Sequence, residues 1–74
     1  MKDTINIAFL GCGKATQIHS KTLAGFENIQ LYYASRDKNK AGNFNRKFGG
    51  SGIFESYEAA IHAENIDVLL IATP

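Results

Sequence analysis

Gly11-Cys12-Gly13-Lys14-Ala15-Thr16 is the segment whose residue types and spacing point most directly to chemistry. It follows an apolar run, Ile5-Asn6-Ile7-Ala8-Phe9-Leu10, and precedes a stretch of helical character. Two glycines between a strand and a helix let backbone N–H groups approach a phosphate closely, and the helix dipole adds to the attraction. In a fingerprint of this kind Gly11 allows the tight turn, Gly13 admits a pyrophosphate, and a third small residue lets helix and strand pack closely. The third position here is Thr16. Its branched side chain either holds the helix slightly farther off or places Oγ1 usefully. The expected ligand is a phosphate-bearing nucleotide.

A second informative group, Ser35-Arg36-Asp37, ends the next strand. A carboxylate roughly 20 residues after the glycines ordinarily accepts from the ribose 2′-hydroxyl of NAD. Serine instead donates to a 2′-phosphate without repelling it, and arginine pairs with that phosphate and stacks on adenine. Lys38 and Lys40 add positive charge nearby. The pattern favours NADP over NAD, although NAD returns if Asp37 bends to the ribose rather than capping a helix. Lys14 either reaches a phosphate or points to solvent. Cys12, inside the turn, is expected to pack rather than to attack, despite the thiolate-favouring neighbourhood of a helix start. His19 is expected to be a packed, hydrogen-bonded residue on the inner face of its helix. It has no partner at metal-ligand spacing, because His62 lies far off and is expected to be exposed. No metal site follows.

The elements that must position these groups alternate. Residues 4–10 read as a buried strand and 14–24 as a helix with Ala15, Ile18, His19, Thr22, Leu23 and Phe26 on its inner face and Gly25 as its stop. Residues 29–35 read as a branched and aromatic strand, with one of Tyr32 and Tyr33 in the core and the other at the surface. Residues 37–48 form a helix capped by Asp37, with Ala41, Phe44 and Phe48 inward. A Gly49-Gly50-Ser51-Gly52 turn leads to a short strand at 53–54. Ser56 caps a helix over 57–64 with Tyr57, Ala60 and Ile61 inward, and 67–72 form an apolar strand suited to burial on both faces. The β-α-β-α-β-α-β order predicts an α/β fold with a parallel sheet and right-handed crossovers.

Composition narrows the class. The chain has 74 residues, 45% of them hydrophobic, and a formal net charge of +1, which suits one small folded domain and gives no bulk attraction to nucleic acid or membrane. Cys12 is the lone cysteine, so no internal disulfide forms and a reducing, cytoplasmic location is expected. The first strand begins too early to leave room for a leader, and no apolar run nears the roughly 20 residues that span a bilayer. The last strand ends at Thr73-Pro74 with no helix to cover it. It is expected to expose an apolar edge that invites self-association, and the chain reads as the front half of a nucleotide-binding domain.

The run from Gly11 to His19 resembles the G-x-G-x-x-G/A-x-x-H opening of the glucose-fructose oxidoreductase / inositol dehydrogenase / rhizopine-catabolism (Gfo/Idh/MocA) family. Ala34-Ser35-Arg36-Asp37 with Lys40-Ala41 and Phe48-Gly49, Tyr57-Glu58-Ala59, and Ile66-Asp67-Val68 through Ile71-Ala72-Thr73-Pro74 resemble three later segments of that family, so the likeness covers nearly all of the chain. It implies the N-terminal part, residues 1–74, of a dinucleotide-binding Rossmann domain, a partial doubly wound parallel sheet. The implied activity is hydride transfer between NAD(P) and a sugar, polyol or related carbonyl or hydroxyl compound. By position, Gly11, Gly13, Lys14, Ala15 and Thr16 would contact the pyrophosphate, Ser35 and Arg36 the adenosine end, and Ala72, Thr73 and Pro74 the nicotinamide side. In the family a Glu-Lys-Pro segment carrying the usual proton donor, and a β-rich substrate domain, follow the fourth strand. Neither lies within these 74 residues, so no catalytic residue is assigned, and a small-molecule substrate is expected only of a complete enzyme. The alternative is a non-catalytic nucleotide-binding or interaction module completed by a partner chain.

Overall fold

The computed structural model describes residues 3–72. Seven elements alternate: β1 (Ile5–Leu10), α1 (Lys14–Leu23), β2 (Ile29–Ala34), α2 (Lys38–Phe48), β3 (Gly52–Phe54), α3 (Tyr57–Ile61) and β4 (Val68–Ile71). The strands form one parallel sheet in the order β3-β2-β1-β4. Travelling outward from β1 through β2 to β3 and then returning to β4, crossovers of a single hand put α1 and α2 on one face and α3 on the other. The expected α/β, partial doubly wound sheet is the observed fold.

β1 is buried on both faces because it lies between two neighbours and beneath both helix layers. Ile7 and Phe9 join Leu31, Tyr33 and Ala41 on the α1/α2 face, with Phe44 and Phe48 packed against them. Ala8 and Leu10 join Ala34 and Ala60 on the α3 face, with Tyr57 alongside. Tyr33 stacks on Phe9 at 5.6 Å between centroids and meets Phe44 edge-on at 5.9 Å. Such pairs contribute about 0.5–1.5 kcal/mol each beyond area burial. Tyr32, one residue earlier and therefore on the opposite face, is half-buried against Phe54. The Asp37 and Ser56 caps form as expected, accepting from the N–H of Asn39 at 2.9 Å and of Ala59 at 3.1 Å.

Four expectations are corrected. The face of α1 that meets the sheet is Thr16 and Ser20, both fully buried, with Leu23 half-buried beside the core. Ala15, Ile18, His19, Thr22 and Phe26 are exposed. Small side chains let the helix approach closely, and the Tyr33 hydroxyl needs an acceptor there, which Ser20 Oγ provides at 2.9 Å. His19 is therefore not a packed core histidine.

α1 also ends without a left-handed glycine: its C-cap is Ala24 at φ −64, and Gly25 has no positive φ. That device closes α2 instead, where Gly49 sits at φ 64. α3 stops at Ile61, short of 64, and Ile61 is exposed. Finally, β4 is not buried on both faces. Val68, Leu69 and Ile71 are exposed, Ile71 to 75%, because β4 pairs only with β1 among the described residues.

Candidate functional site

Gly11 leaves β1 at φ 111, a conformation that a side chain resists. Its N–H donates to the Ala34 carbonyl at 2.8 Å, and the Ala72 N–H donates to the Leu10 carbonyl at 2.9 Å. The carboxyl ends of β2, β1 and β4 are thereby stitched together where the strand order reverses, the place where open α/β sheets take their ligands. A cleft of about 720 Å³ opens there, bounded by the glycine turn, the residues after β2, the start of α3 and the end of β4.

The turn presents backbone rather than side chains. Gly13 is the N-cap of α1 at φ −118, with no side-chain cap and no acidic residue in the first turn. Among the described residues the Cys12 and Gly13 N–H groups donate to no protein acceptor. A Cβ at Gly13 would meet nothing within 4 Å, so the fold itself does not demand glycine there. An uncapped helix start and a cradle without side chains fit an anion.

Ser35 and Arg36 both line this cleft. Ser35 is buried, and its Oγ accepts from the Asp37 N–H at 3.2 Å, which leaves the hydroxyl proton available to donate. Arg36 is exposed at the rim. Asp37 caps α2 through Oδ1 while bordering the cleft. Lys38 is drawn to Glu55 at 3.6 Å, an exposed pair, whereas Lys40 borders the cleft. The Cys12 thiol is buried, with Sγ 3.9 Å from the Ala34 carbonyl. Burial pushes it above the ordinary thiol range, with the Lys40 charge pulling less strongly the other way. This is a packed thiol rather than an activated one, as expected from the sequence.

The other predicted positions are dispersed. Thr16 does not reach the cleft; it is fully buried and its Oγ1 donates to the Gly11 carbonyl at 2.6 Å. Lys14 is exposed. Ala15 lines a separate groove of about 440 Å³ between α1 and β4, shared with His19, Thr22 and Leu70. Ala72 borders both cavities, and Thr73 and Pro74 lie outside the described residues. Sequence reasoning missed Tyr57, Ile61 and Ile71 as cleft walls and noted Lys40 only as a nearby charge. The signal for Tyr57 was its place directly after the Ser56 cap, at the start of the helix on the opposite face of the sheet.

No protein-family model matches this chain, and no curated protein matches it. Solved structures do. GenD2 from gentamicin A biosynthesis, in complex with NAD, superposes with a TM-score of 0.83 at 19% identity over 97% of this chain and 21% of that one. KijD10, a 3-ketoreductase from Actinomadura kijaniata in complex with NADP and TDP-benzene, gives 0.79 at 24% over 89% and 21%. Levoglucosan dehydrogenase, in complex with NADH and levoglucosan, gives 0.84 at 24% over 96% and 22%. At these identities the likeness shows the fold alone. The chain spans about a fifth of the length of these structures.

Proposed function

We propose that residues 1–74 are the front part of the dinucleotide-binding domain of a Gfo/Idh/MocA-like oxidoreductase. The observation that carries this reading is the side-chain-free, uncapped start of α1 opening into the same cleft as Ser35 and Arg36. The N–H groups of Cys12 and Gly13 would hold the pyrophosphate. The Ser35 hydroxyl and the Arg36 guanidinium would read a 2′-phosphate, which favours NADP, and Ala72 to Pro74 would border the nicotinamide. Bound there, the cofactor supplies hydride to, or takes it from, a sugar, polyol or related compound. The similar structures include one with NADP and others with NAD or NADH, which supports a nicotinamide dinucleotide. No residue of this chain is assigned to proton transfer.

The exposed β4 edge favours a second reading, in which another chain or a second copy completes the sheet. No helix among the described residues is long and apolar enough to cross a membrane. A cytoplasmic location suits the lone thiol. Calorimetric titration of the chain with NADPH and NADH, with Arg36→Ala alongside, tests the main reading. We expect NADPH to bind several-fold more tightly and the preference to vanish in the variant. Equal binding of both cofactors by the unsubstituted chain would overturn the NADP assignment, and a folded chain that binds neither would overturn the nucleotide assignment.

A further inference from the structure

We propose that Thr16 is a positioning residue: its buried hydroxyl fixes the Gly11–Cys12 peptide so that the Cys12 N–H faces the pyrophosphate site. The inference rests on the dinucleotide reading above and adds to it the group that sets the cradle. A helical threonine ordinarily returns its hydroxyl to a carbonyl three or four residues back. Thr16 reaches five back, past the start of α1, to the Gly11 carbonyl at 2.6 Å. This bond therefore joins the helix to the turn rather than the helix to itself.

The peptide it holds needs holding. Gly11 sits at φ 111 and has no side chain to restrict rotation on its side of the peptide. In a trans peptide the C=O and the following N–H point in opposite directions, and no cis peptide bond is present among the described residues. With the Gly11 oxygen drawn inward to a side chain that is fully buried and away from the cleft, the Cys12 N–H is turned outward. Gly11, Cys12 and Gly13 all line the cleft, and the Cys12 N–H has no protein acceptor among the described residues. Thr16 in turn rides on a helix anchored one turn later by the buried Tyr33–Ser20 bond at 2.9 Å. The residue that departs from the usual small third position thus takes up a task that glycine or alanine cannot perform, which is to clamp the turn by a side-chain hydrogen bond.

The test compares Thr16→Val, which keeps the shape and removes the hydroxyl, with Thr16→Ser, which restores it. NADPH and NADH are titrated by calorimetry well below each protein's melting temperature, and the Cys12 amide is followed by 15N-resolved NMR. We expect Thr16→Val to bind both cofactors about tenfold more weakly, the loss of one well-placed hydrogen bond to a charged group. Thr16→Ser should bind within a few-fold of the unsubstituted chain. The Cys12 amide proton should move downfield on NADPH addition in the unsubstituted chain and much less in Thr16→Val. A purely structural threonine would lower melting temperature without changing affinity below it. Unchanged affinity in Thr16→Val, or Thr16→Ser as weak as Thr16→Val, overturns the positioning role while leaving the dinucleotide reading intact. If Thr16→Val does not fold, a Cys12 amide that ignores NADPH in the unsubstituted chain overturns the role by itself. A folded unsubstituted chain that binds neither cofactor overturns both.

Discussion

The starts of α1 and α2 solve one problem in opposite ways. Every helix begins with N–H groups that have no partner in the helix itself. At α2 the Asp37 carboxylate accepts from Asn39, and at α3 the Ser56 hydroxyl accepts from Ala59. At α1 the N-cap is Gly13, no side chain accepts, and the first turn carries no acid. α1 gives up the stabilisation of a cap at the one helix start that opens into the cleft through a glycine turn. The starts of α1, α2 and α3 all border the cleft, through Gly13, Asp37 and Tyr57, and the one left uncapped is the one at the glycine turn.

The largest expected effect comes from erasing that difference. Gly13→Asp would give α1 the cap that α2 has, at a position whose φ of −118 suits any residue and where a Cβ meets no atom within 4 Å. The helix should gain up to about 1 kcal/mol from the cap and the dipole. Dinucleotide binding should fall by roughly 100-fold or more, because the new carboxylate stands beside the Cys12 and Gly13 N–H groups and repels the phosphates. A thermal melt and a calorimetric titration on the same sample read both quantities. A variant that still binds NADPH would show that the open start of α1 is not the anion site.

The reverse substitution is next in size. Asp37→Ala should cost about 1 kcal/mol of stability by uncapping α2. It should also tighten NADPH by a few-fold relative to NADH, since a negative charge leaves the cleft beside Ser35 and Arg36. Ser56→Ala should cost a similar amount of stability and leave the NADPH-to-NADH ratio where it was. Urea denaturation with paired titrations separates the two variants. A changed ratio in Ser56→Ala, or an unchanged one in Asp37→Ala, would break the distinction between a capping residue that lines the cleft and one that does not.

What the sequence disclosed follows the range of the interactions concerned. Asp37 and Ser56 were legible because a cap is settled within three residues, and the glycine turn was legible because it lies between a strand and a helix. The inner face of α1 was not. Helical spacing selects Ile18 and His19, but the helix meets the sheet through Thr16 and Ser20, because a close helix–sheet approach requires small side chains there and the Tyr33 hydroxyl requires an acceptor. Lys40 was seen as charge but not as a cleft wall. Its direction depends on the rotation of α2 about its own axis, which Ala41, Phe44 and Phe48 set by packing on the core. The apolar run of β4 tells that its faces suit burial, whereas its exposure depends on what lies beside it.

The smallest expected effect concerns the one side chain between the two glycines. The backbone of the turn faces the cleft, yet Cys12 turns its thiol inward, and burial holds its pKa above the ordinary thiol range despite the nearby Lys40. Tyr33 is likewise raised, by burial first, against the pull of its bond to Ser20, with Cys12 adding to the rise. A group whose folded-state pKa is raised binds its proton more tightly folded than unfolded. Its contribution to stability is therefore complete below the unfolded pKa and declines as pH rises through the alkaline range. Stability should thus fall from the ordinary thiol range upward and again toward the phenol range, and Cys12→Ala should flatten the first part of that fall. Iodoacetamide should alkylate Cys12 more slowly than a free thiol at neutral pH, and more slowly still with NADPH bound over the turn. Rapid alkylation at neutral pH would mean that the turn opens its buried side to solvent, and the contrast between an outward backbone and an inward side chain would no longer hold.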